Sequence, residues 1–154
     1  MNVDYKPDRI LKWSTLSTSK KIMINDVKKY YFSEAVAKEI GVEEAIMFSN
    51  IFFWVNHNKK KKSDYHYYQG KYWMFNTVLK FKEQYSFWTV ATIRRILNNL
   101  QKNSYIEAGR FNKHGYDKTK WYTVAEKAFD VVENDKDFVE TINSLSEEQP
   151  TNTR

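Results

Sequence analysis

The chain has 154 residues, 42% hydrophobic and 17% aromatic, enough for one modest core and too few for two ordinary domains. It has no cysteine, and His57, His66 and His114 are scattered, which excludes disulfides and thiolate metal sites and argues against redox, zinc or other cofactor chemistry. The net charge of +6 is uneven: residues 1–124 carry 22 basic and 11 acidic side chains, whereas residues 125–154 carry 3 and 8. A basic excess of that size concentrates polyanions, nucleic acid before an acidic membrane surface.

The N-terminal MNVDYKPDRILKW has acidic residues and no apolar stretch of signal-peptide length, and no segment approaches the roughly 18 apolar residues of a membrane span, so a cytoplasmic protein is expected. Residues 1–21 mix Ser, Thr, Lys and Pro without periodicity and read as an arm. Residues 22–124 read as the folded domain. Ile22 and Ile24 suit an entry strand, and Ser33 to Ile40 suits a short helix ending at Gly41. Glu43 and Glu44 then open a second helix, where carboxylates meet the positive dipole end. It is apolar on almost every side from Ala45 to Val55 and should be the buried spine.

Asn56 to Asp64 reads as a solvated loop, because Lys59, Lys60, Lys61 and Lys62 repel one another; the same lysines are candidate phosphate contacts. Tyr67 to Phe75 suggests two short strands about Gly70. Asn76 or Thr77 suits the cap of a helix from Val78 to Tyr85, with Ser86 to Trp88 as a turn. Thr89 can cap the next helix, in which Val90, Ile93, Ile96, Leu97 and Leu100 recur at helical spacing. With Ile93 at the centre of the buried face, Ala91, Arg95, Asn98 and Lys102 lie opposite, and Thr92, Arg94 and Asn99 lie on the flanks. Tyr105, Ile106 and Phe111, the turn-forming Asn112 to Gly115, and Trp121 to Val124 then read as a hairpin. A polar, basic helix followed by a basic hairpin predicts an α+β winged helix-turn-helix. Beyond it, residues 125–154 read as an acidic tail with one or two weak helices up to Leu145 and a disordered end from Glu147.

The four glycines permit neither a P-loop nor a dinucleotide fingerprint. Asp117 with Lys118 and Lys120 is the nearest approach to a nuclease motif and reads better as wing structure, so no enzyme activity is expected. Candidate DNA contacts are therefore Thr92, Arg94, Arg95, Asn98, Asn99 and Lys102 on the helix, where Arg can fork onto guanine and Asn can pair with adenine. Arg110, Lys113, Lys118 and Lys120 are the matching phosphate contacts on the wing. Most of the aromatic residues should be core; Tyr65, Tyr67 and Tyr68, beside the lysine run, are the ones placed to touch nucleic acid.

The segments WMFNT, YSFWTVATIRRILNNL, GRFNK and YDKTKWYTV, in this order and spacing, resemble the winged-helix domain of phage and plasmid replication proteins, the replisome-organiser or DnaD-like N-terminal domains of low-GC Gram-positive bacteria and their phages. The resemblance covers roughly Ile22 to Val124 and is densest from Trp73 to Val124. It implies a winged helix that binds origin DNA. Tyr85-Ser86 stands where relatives tend to have Phe-Pro, Lys118 where Arg is common, and Asn103-Ser104 where a Gly-containing helix end is usual. Relatives that organise a replisome continue into a second domain, whereas this sequence ends at Arg154, which leaves a truncated chain or a stand-alone protein as the expectations. The expected partner is double-stranded DNA, with a homodimer in view. The alternatives are a transcriptional regulator and a phage-encoded inhibitor that uses the scaffold to bind a host protein or nucleoprotein complex.

Overall fold

The computed structural model describes residues 27–146. The expected arm, the strand at Ile22 and Ile24, and the end from Glu147 lie outside the described residues. Residues from Tyr31 onward form one compact unit. In the separate N-terminal unit, the Lys28 ammonium sits 5.3 Å from the centroid of the Tyr30 ring.

Helix α1 (Glu34–Ile40) begins at Ser33, whose hydroxyl accepts the Val36 N–H, and ends at Gly41. Gly41 has φ 113°, a conformation suited to glycine, and joins α1 directly to α2 (Val42–Lys60). At 19 residues, α2 is about 28 Å long. It buries Ala45, Met47, Phe48, Ile51, Phe52 and Val55, as a helix apolar on almost every side must. It also runs further than its sequence suggests. Asn56, His57 and Asn58 look loop-forming, yet the Asn56 amide donates to Asn143 Oδ1, the Asn58 amide donates to the Trp73 carbonyl, and His57 is fully buried. Consequently Lys59 and Lys60 are helical, Lys61 is the cap, and only Lys62, at φ 50°, has left the helix.

A 3₁₀ turn (Asp64–His66) leads to the hairpin of β1 (Tyr67–Tyr68) and β2 (Lys71–Tyr72). Its two-residue turn, Gln69-Gly70, has both φ values positive, the twist that matches paired antiparallel strands. Next come β3 (Met74–Asn76), α3 (Val78–Gln84) capped by Thr77, and α4 (Val90–Lys102) capped by Thr89. Strands β4 (Ile106–Gly109) and β5 (Lys120–Val124) complete an antiparallel sheet in the order β3-β5-β4. A spine helix, a first strand, two helices joined by a short turn, and a hairpin whose second strand enters the middle of the sheet make a winged helix-turn-helix.

The acidic segment after Val124 forms α5 (Glu126–Val132) and α6 (Lys136–Ser146), and both belong to the folded unit. Phe138 and Ile142 of α6 are buried, and Phe52 of α2 meets Phe138 with ring centroids 5.7 Å apart. Glu126, Asp130, Glu133, Asp137 and Glu140 are exposed, while Ala128, Val132, Phe138 and Ile142 are buried where these helices pack on α1 and α2.

Alternation along the sheet separates two environments. Met74 and Tyr122 lie on the face toward α3 and α4, where Tyr122 meets Phe81. Phe75 and Trp121 lie on the opposite face, under an aromatic cap built from the β1–β2 region with Trp73, Tyr68 and Phe111. Tyr68 stacks on Phe111 at 4.6 Å, and buried His66 stacks on Phe75 at 5.7 Å.

Candidate nucleic-acid interface

Helix α4 buries Ile93, Ile96, Leu97 and Leu100, so its remaining residues divide between two flanks. One flank faces the base of the wing. There Arg94, Asn98 and Gln101, at i, i+4 and i+7, share an open cleft of about 590 Å³ with Lys118, Thr119 and Lys120 from the wing and β5, Tyr122, and Asn76 to Leu79 at the start of α3. The lining includes three cationic side chains, three amides and no carboxylate. Burial pushes the Tyr122 hydroxyl at this wall of the cleft up to about 12.

The other flank is occupied. Arg95 donates to Glu43 Oε1 at 3.0 Å and lies 3.6 Å from Glu44 Oε1, while the Asn99 amide donates to Glu44 Oε1 at 3.0 Å. Glu44 is buried, and it can be so because these partners meet its charge. The two glutamates that favour the start of α2 thus also fix α4 against it. Thr92 is held at the helix start, its hydroxyl accepting from Thr89 and its N–H donating to the same Thr89 oxygen. Lys102 is exposed in the last turn.

The wing, residues 110–119, is organised by Asn112. Its amide donates to the carbonyls of Asp117 and Thr119, both at 2.8 Å, and its oxygen accepts the Trp121 indole N–H at 2.7 Å. Asp117 accepts the Thr119 N–H, a wing-building role. Lys118 closes the loop by donating to the Gly115 carbonyl. Arg110 and Lys113 are exposed, and Tyr116, 80% exposed, stacks on His114 at the tip.

The structure therefore brings Arg94, Asn98, Lys118 and Lys120 together, sets Arg95 and Asn99 on the opposite flank, and leaves Lys59 to Lys62 beyond both. That lysine run is at the end of α2 farthest from Glu43 and Glu44, about 25 Å away along the helix axis. Asn76 and Gln101 are cleft residues that the sequence reading missed. For Gln101 the signal is present: it continues the polar stripe of Arg94 and Asn98. For Asn76 only the strand register, which pairs it with Lys120, reveals its place.

Among the described residues no cluster of His, Asp or Glu is arranged to hold a metal ion, and no helix is long and apolar enough to cross a membrane. No family model matches the chain, and no curated protein matches it. Among solved structures the chain is similar to a double mutant of Lactococcus lactis ZitR, with a TM-score of 0.41 and 17% identity over 84% of this chain and 75% of that one.

Proposed function

We propose that this protein binds double-stranded DNA non-covalently, with one strand of the duplex lying along the cleft between α4 and the wing. The observation that carries this reading is the cleft itself: Arg94, Lys118 and Lys120 converge with three amides where no carboxylate opposes a phosphate backbone. Lysines of the wing supply sequence-independent affinity. Arg94 and Asn98, on the same helix edge, supply discrimination by hydrogen bonds to guanine and adenine. Arg95 and Asn99, engaged by Glu43 and Glu44, position the helix. The resemblance of Trp73 to Val124 to replication proteins supports a replication origin as the target, and a promoter bound by a stand-alone regulator is the alternative.

The test is fluorescence anisotropy against labelled random duplex DNA at several salt concentrations, followed by selection of a preferred sequence from the protein's own genome. Arg94→Ala should weaken the selected site about tenfold or more, as loss of one good bidentate contact does, and Arg95→Ala should weaken it less. Absence of duplex binding at low salt overturns the proposal. Selected sequences clustered at an origin support the replicative role, and sequences upstream of genes support the regulatory one.

A further inference from the structure

The side of the sheet away from the cleft presents a second set of side chains suited to nucleic acid. Lys59, Lys61 and Lys62 are exposed and their ammonium groups engage no partner among the described residues, whereas the Lys60 ammonium donates to the Asn143 carbonyl. The chain then turns tightly, with Ser63 N–H on the Asn58 carbonyl and His66 N–H on the Ser63 carbonyl, so the lysines stay beside the aromatic residues that follow. Tyr65 is 49% exposed while its ring rests against Phe75 and Trp121 at about 6 Å. Tyr67 is 47% exposed and pairs across the β1–β2 hairpin with Tyr72 at 4.9 Å. Both tyrosines are backed by other rings and open to solvent, so each is a rigid surface for stacking. Asp64 follows the lysines directly in the chain, and Glu107, across from the β1–β2 hairpin, is paired with Lys71.

We infer that Lys59, Lys61 and Lys62 with Tyr65 and Tyr67 form a site for single-stranded nucleic acid, separate from the duplex cleft. A duplex offers its rings only at their edges, whereas a single strand exposes base faces that tyrosines can stack upon and phosphates that the adjacent lysines can neutralise. The chemistry is sequence-tolerant, because every base has a π-face.

The experiment measures anisotropy of the full chain with a labelled oligo-dT of about twenty nucleotides, long enough to span such a site, alongside the random duplex. The expected result is salt-sensitive binding of oligo-dT with a log-log slope of about −2, from three lysines on a single strand. Tyr65→Leu with Tyr67→Leu should lose about thirtyfold or more on oligo-dT, as expected for two lost stacking platforms, while duplex affinity stays unchanged. A thermal melt checks that this variant folds, and Lys61→Glu with Lys62→Glu, at exposed positions, repeats the test without touching the aromatic cap. No oligo-dT binding by the native chain, no loss in either variant, or equal losses on both nucleic acids overturns the site. Retained oligo-dT binding by a chain that binds no duplex overturns the cleft proposal alone.

Discussion

One side chain, Asn112, holds two carbonyls of the wing, those of Asp117 and Thr119, together with the indole N–H of Trp121 in β5. Asn112→Ala strands an indole N–H and two carbonyls, which should cost about 2 kcal/mol and lower the melting temperature by roughly 6 °C, measurable by thermal circular dichroism. Asp135 is a comparable residue between α5 and α6. Its carboxylate accepts the Ser33 hydroxyl at 2.8 Å and the Phe138 N–H at 3.2 Å, so it ties the start of α1 to the start of α6. Burial alone would raise this carboxyl, but hydrogen bonds from Ser33 and from the backbone of Phe138, Ala35 and Glu34 outweigh it and hold the group below its ordinary value. A carboxyl depressed on folding contributes stability above its unfolded value, near 4, and loses that contribution as pH falls through the folded value. The melting temperature should therefore fall on acidification below about pH 4, and Asp135→Asn should be less stable at neutral pH with a flatter acid limb. An unchanged acid limb in Asp135→Asn would show that another group carries it.

Helix α4 illustrates how far local chemistry can be read from sequence. Its cap, its buried stripe and its length follow from Thr89, Ile93, Ile96, Leu97 and Leu100, and the structure agrees at each. Its end is less orthodox: Ser104 has φ 61°, with its N–H on the Gln101 carbonyl and the Tyr105 N–H on the Leu100 carbonyl. This pair of bonds ordinarily ends on glycine, because a side chain in the left-handed region costs about 1 kcal/mol or more. Ser104→Gly should accordingly raise the melting temperature by about 2 °C, the net of that relief and glycine's greater chain entropy. The division of α4 into two flanks was not legible. Arg94 and Arg95 are adjacent in sequence and equally basic, and only the packing of α2 puts Glu43 and Glu44 beside one and leaves the other in the cleft. The same holds for the helical extent of α2 past Asn56: Asn143 and the Trp73 carbonyl, its polar partners, are remote in sequence. The acidic tail was readable as helical from its spaced apolar residues, but the surface it covers belongs to α2 and appears only in three dimensions.

Over the whole molecule, charge is sorted by position. The cleft and wing carry Arg94, Arg110, Lys113, Lys118 and Lys120, while acidic α5 and α6 pack elsewhere on α2 and its neighbours. Four to five phosphates neutralised by this surface predict a log-log salt slope of about −4 for duplex binding; a slope near zero would mean that the basic surface does not meet phosphate. The aromatic cap supplies a physical observable. Trp121 is 1% exposed, and its indole N–H is bonded to the same Asn112 that shapes the wing. Because that proton can exchange with solvent only when the hydrogen bond opens, its exchange rate, read by NMR at the Trp121 indole, is a clock for the wing. Bound DNA that braces the wing should slow that clock, and a ligand held elsewhere should leave it running at its free rate.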